Sequence, residues 1–229
     1  MGLVTAGMLS LLLFGIKFYQ RNGWRMQINQ DVRQLTDELI DNTTAANYAK
    51  IFTDYTTVVD TTSGTTKLGP IISDRFAGSF LLLVYTAAMD DTKIERIVAY
   101  YIYPDPADST VNTLRKIDKQ FSGSTTPAWD ASLATLLASV GNFANGVQIM
   151  PVTSAQKLSA ASKGTLVPTD EQVGDWVAAG NTAATCPMTP FTNFMNTSIV
   201  IMCKFKYVGN NGVNQAVVNT YNFTVSPRG

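Results

Sequence analysis

Hydrophobic positions along the chain fall into three patterns. The first sixteen residues, MGLVTAGMLSLLLFGI, are apolar throughout, with no charge before Lys17. Further on, Ile28, Val32, Leu35 and Leu39 recur at steps of four, three and four, with Asn29, Gln30, Asp31, Arg33, Gln34 and Asp37 between them. That spacing predicts an amphipathic helix with one buried stripe. No proline occurs before Pro70, so a single helix is expected from near residue 2 to about Asn47. Gly23 is its weakest point, costing about 1 kcal/mol relative to alanine. A helix this long exceeds the usual globular length and needs partners along its whole extent. Those are apolar neighbours for residues 1–16 and the chain's own body for the stripe in residues 24–48.

The third pattern, in the body (residues 49–229), is that of strands. GSFLLLVYTA (78–87) and IERIVAYYIY (94–103) flank MDDTK (89–93) and predict a hairpin. Apolar residues on both faces suit a central strand covered by the long helix on one side. TSIVIMCKFKYV (197–208) and VNQAVVNTYNFTV (213–225) flank GNNG (209–212), a second hairpin whose turn residues tolerate positive φ. In its first strand Ile199, Ile201, Cys203, Phe205 and Tyr207 share one face, and Lys204 and Lys206 point to the other. Two short helices are expected. WDASLATLLASVGNF (129–143) carries Leu133, Leu136, Leu137 and Val140 at helical spacing, and TDEQVGDWVAAG (169–180) opens at Thr169 with acids in its first turn. SAQKLSAASKGT (154–165) reads as a surface loop.

A sixteen-residue helix is about 24 Å long, short of the roughly 30 Å hydrocarbon core of a bilayer. A secretory signal peptide fits poorly, because no basic region precedes the apolar run and no small-x-small site follows it. Lys17, Arg21 and Arg25 follow instead. Within the run, Gly2, Ala6 and Ser10 form a small-residue strip at i, i+4 and i+8, with Gly7 and Gly15 as further small positions. Such residues let helix backbones approach closely, although they are also common in any membrane helix.

MGLVTAGMLSLLLFGIKFYQRNGWRMQINQDVRQLTDELI resembles the N-terminal helix of type IV pilins and pseudopilins. The resemblance implies an α+β, pilin-like fold: a long N-terminal helix, apolar then amphipathic, packed on an antiparallel β-sheet head. It implies a structural filament subunit that polymerises with identical copies and is served by assembly machinery. It also implies an inner-membrane intermediate before release to an extracellular, cell-surface fibre. The polymerising residues would be Gly2, Leu3, Ala6, Gly7, Leu9, Ser10, Leu12, Leu13, Phe14 and Ile16; Ile28, Val32, Leu35 and Leu39 would pack under the head. The family's cleavage signature and fifth-position Glu are not visible, Thr5 standing at that position. The chain is therefore expected to begin inside the mature helix, with the rest of the span and a basic leader upstream. A subunit that lacks the glutamate is the other reading.

Composition narrows the alternatives. Seventeen basic and seventeen acidic residues give no net charge, which argues against a nucleic-acid partner. Histidine is absent, which removes histidine-dependent catalysis and histidine-ligated metals. Asp90 with Asp91, and Asp105 with Asp108, fall short of a calcium site and read as turn residues. No glycine-rich phosphate loop occurs. No enzyme activity, cofactor or metal is expected. Cys186 and Cys203 are either free thiols or, if the body lies outside the cytoplasm, one disulfide; disulfide loops near the C-terminus are common in the family. The alternative function is a single-pass membrane-anchored extracytoplasmic binding domain. A glycan-binding face would use Tyr100, Tyr101, Tyr103, Trp129 and Trp176, for which core packing is the simpler reading. Asn42, Asn196 and Asn222 head glycosylation sequons.

Overall fold

The computed structural model describes residues 2–52, 58–59, 66–67, 77–86, 93–105, 108–122, 145–150, 163–194, 198–208 and 217–226. The first element, α1, is one unbroken helix of 44 residues, Gly2–Ala45, continuous through Gly23. The chain then enters β1 (Tyr48–Phe52) and a short ribbon of β2 (Val58–Val59) and β3 (Thr66–Lys67). Next come β4 (Ala77–Gly78), β5 (Phe80–Thr86), β6 (Ile94–Asp105), β7 (Asp108–Gln120), β8 (Val147–Met150) and β9 (Lys163–Val167). A second helix, α2 (Asp170–Ala178), and a 3-10 turn, Ala183–Thr185, lead to β10 (Phe191–Phe194), β11 (Ser198–Val208) and β12 (Val217–Val225).

The expectation of a pilin-like α+β fold, with the helix laid on one antiparallel sheet, is corrected. Strand outweighs helix, and the strands form two five-stranded antiparallel sheets. The first has the order β1-β5-β6-β7-β8. In the second, β12-β11-β10-β4 run in line, and β9 pairs with the far half of β11 beside β10. The sheets meet where the Asn112 amide of β7 donates to Thr165 Oγ1 of β9 at 2.9 Å. Among the described residues of α1, burial is confined to its last turns, from Asp31 on, in a core that both sheets share.

That core joins Val32, Leu35 and Leu39 of α1 to Leu81, Leu83, Val98 and Tyr100 of the first sheet and to Phe191, Ile201 and Phe205 of the second. The other face of the first sheet is also buried, around Phe52, Phe80, Leu82, Val84, Ile97 and Tyr101. Burial on both faces explains why β5 and β6 read as nearly continuous apolar runs rather than alternating ones. At Gly78 an added Cβ would lie 1.9 Å from the Phe52 carbonyl oxygen, so only glycine lets β4 pass beside β1.

Both expected hairpins form: β5 pairs with β6, and β11 with β12, antiparallel. In β11, Ile199, Ile201, Cys203 and Phe205 are buried, and the alternating residues through Lys206 are partly exposed. The end of the expected loop 154–165 is instead the start of β9, drawn into the second sheet by pairing with β11. Residues 129–143, GNNG (209–212), Asp90 and Asp91, and Trp129 lie outside the described residues.

Candidate functional site: the exposed N-terminal half-helix and its anchor

From Thr5 to Tyr19 every residue is exposed, including Leu9 at 63%, Leu12 at 62% and Phe14 at 69%. Met8, Leu9, Leu11, Leu12, Leu13, Phe14 and Ile16 step round the axis at about 100° per residue, so no side of this cylinder is charged. Exposed apolar surface on that scale marks an interaction site, not a solvated face. Ala6, Gly7 and Ser10 are exposed within it, and the Ser10 hydroxyl donates back to the Gly7 carbonyl at 2.9 Å. The side chains of Gly2, Leu3 and Ile28 lie outside the described residues. Among the described residues no helix is long and apolar enough to cross a membrane.

The opposite end of α1 is fixed to the head. Val32, Leu35 and Leu39 are buried there, as their spacing predicts. Asn42, one turn below the helix end, sits at the centre of a polar junction. Its amide donates to the Tyr100 hydroxyl (2.8 Å) and to the Glu38 carbonyl (2.9 Å). Its side-chain oxygen accepts from Arg96 (3.2 Å), and its main-chain carbonyl accepts from the Tyr85 hydroxyl (2.7 Å). Arg96 also donates to Asp118 at 2.8 Å, and Lys116 Nζ lies 2.7 Å from Glu38 Oε1. The helix is thus tied to β5, β6 and β7 by charge-assisted bonds as well as by apolar contact.

Electrostatics follows from this geometry. The hydrogen bonds from Arg96 hold the Asp118 carboxyl below its ordinary range. Burial pushes the Tyr85 hydroxyl up to about 12, partly offset by Arg96. Burial, with the nearby Glu38 carboxylate, pushes Tyr100 further in the same direction. A groove of about 540 Å³ beside the junction is lined by Gln34, Glu38, Lys116, Asp118, Asn145 and Gln148. Its charged groups already pair with one another: Lys116 reaches Glu38, and Asp118 reaches Arg96.

Other expected sites are placed differently. The Cys186–Cys203 bond is not formed, and both residues are free thiols. Cys203 sits on the core face of β11, where burial pushes its thiol up to about 12. Cys186 lies on the partly exposed connection after the 3-10 turn, near the Pro187 carbonyl. Tyr100 and Tyr101 are fully buried, so they offer no glycan-binding face. Asn42 is buried and hydrogen-bonded within the helix, so its sequon is closed to modification. Among the described residues no group of three or more His, Cys, Asp or Glu side chains could hold a metal ion. The Asn42–Arg96–Asp118 junction was not legible in the sequence, because its members are far apart in the chain and no motif links them. Comparison with protein-family models, with curated proteins and with solved structures finds no match.

Proposed function

We propose that this protein is a structural subunit of an extracellular filament of the type IV pilus kind, polymerising through residues 2–16 with its β head outward. One observation carries the reading: residues 5–16 of α1 are exposed and carry no charge on any side, while its last turns are locked into the head. A single groove on a partner would cover one side of such a cylinder. Several parallel copies around it cover all sides, and repetition along a fibre multiplies each weak contact. The resemblance of the first forty residues to pilin helices supplies the kind of filament, the inner-membrane intermediate and the assembly machinery.

The test is a pair of substitutions far from the head, Leu9→Asp with Leu12→Asp. Burying each leucine contributes about 1.5–3 kcal/mol, so assembly of the double variant should fall at least a hundredfold in sedimentation and negative-stain microscopy. Its thermal unfolding should match that of the parent chain. Filaments of unchanged abundance, or a parent chain that never self-associates, would refute the reading.

A further inference from the structure

A second surface of the molecule is built but unused. Helix α2 is closed at both ends by its own residues. Thr169 accepts from the Gln172 amide (3.2 Å) and Gln172 Oε1 accepts from the Thr169 amide (2.9 Å), a reciprocal capping box. At the other end Gly180, at φ +90°, donates to the Val177 carbonyl, and Asn181 donates to that of Trp176. This paired closure of the last turn needs a residue in the left-handed region. A nine-residue helix is marginal in water on propensity alone, so these caps replace the packing that most short helices rely on. Packing on α2 is slight: no side chain of the helix or of the 3-10 turn is fully buried, Val173 and Trp176 are half-buried, and Gln172 Nε2 donates to the Thr189 carbonyl at 2.7 Å.

The surface it presents has a definite chemistry. Val173, Trp176 and Val177, at i, i+3 and i+4, form an apolar face. Residues 170–187 carry three acids and no base. Asp170 is taken by Lys204 at 2.6 Å. Glu171 and Asp175, one turn apart and both exposed, form no ion pair among the described residues. The complementary surface is on α1, between the apolar half and the head. Residues 17–26 carry Lys17, Arg21 and Arg25 at i, i+4 and i+8, and no acid. Lys17 and Arg25 are exposed, and so are Phe18, Tyr19 and Met26 beside them. Lys17 and Arg25 on α1 and Glu171 and Asp175 on α2 are exposed within one chain, so the two surfaces meet between copies. Such a contact is head-to-tail, the kind that propagates into an open fibre.

We infer that α2 with its 3-10 turn is the docking surface for residues 17–26 of a second copy, acid strip on basic strip and Trp176 against the aromatic flank. This deepens the filament reading and rests on it. Two measurements on the full-length chain test it. In the first, Glu171→Lys with Asp175→Lys, and Lys17→Glu with Arg25→Glu, should each weaken assembly about tenfold, and the fourfold variant should recover it; moderate salt should weaken the parent contact. In the second, a labelled peptide of residues 13–30 should bind the full chain. It should lose about tenfold in affinity for the Glu171→Lys, Asp175→Lys variant, whereas the peptide carrying Lys17→Glu and Arg25→Glu should prefer that variant. Unchanged unfolding by circular dichroism confirms that the exposed substitutions leave the fold intact. Peptide binding by a chain that stays monomeric would sink the filament reading while upholding this contact. Normal assembly with no response to the charge exchanges, or no peptide binding, would overturn the contact itself.

Discussion

Asn42 shows how much a single side chain can decide at the junction between helix and sheet. Its amide and carbonyl oxygen between them serve Tyr100, which is buried, and Arg96 and the helix backbone, where the bonds are half-buried. Asn42→Ala would take the 2.8 Å partner from the buried Tyr100 hydroxyl, while Arg96 would keep its bonds to Asp118. A buried polar group left unsatisfied costs about 1–3 kcal/mol, and urea unfolding should show a loss of that size. In the sequence the same residue reads only as the head of a sequon. Its helical position was legible, but the partners that give it meaning lie more than forty residues away.

At the scale of elements, local cues were read well and distant ones were not. The stripe Val32, Leu35, Leu39 and the acidic opening of α2 depend on neighbours within a few residues, and each hairpin joins two strands adjacent in sequence. They form where expected. β9 depends on which strand lies beside β11, a matter of long-range pairing that no local pattern encodes. The slight packing of α2 gives a prediction of its own. Thr169→Ala removes half of the capping box, a loss of about 0.5–2 kcal/mol to the helix. Because no side chain of the helix is fully buried, hydrogen exchange should speed up within residues 170–178 by at least twofold, while the melting temperature of the head stays put.

For the whole molecule, the long helix and its exposed half were legible in sequence, whereas the two-sheet head around its end was not. The binary pattern marks which residues are buried but not which of two facing sheets buries them. One property belongs to the assembled core and to no single element: its response to alkali. Tyr85 and Tyr100 have folded pKa values raised above the ordinary 10.0. The folded state therefore holds their protons more tightly than the unfolded chain does. The stability they contribute is full below pH 10 and falls as pH rises beyond it, through about 12 for Tyr85. Chemical denaturation repeated between pH 9 and pH 11.5 should show that decline, and Tyr85→Phe should flatten it. A profile unaffected by the substitution would mean that other groups govern the alkaline limit.

The unbroken passage of α1 through Gly23 has a mechanical consequence. At about 1.5 Å per residue the helix is some 66 Å long, and the head grips only its final third. A pull on the head is therefore transmitted down a single rod, with no joint to unfold first. At the grip, the pull acts along the helix axis, against Leu35 and Leu39 and the Asn42 junction all at once. Contacts strained together in shear resist more than contacts peeled one by one, so the grip is strongest against a pull along the helix.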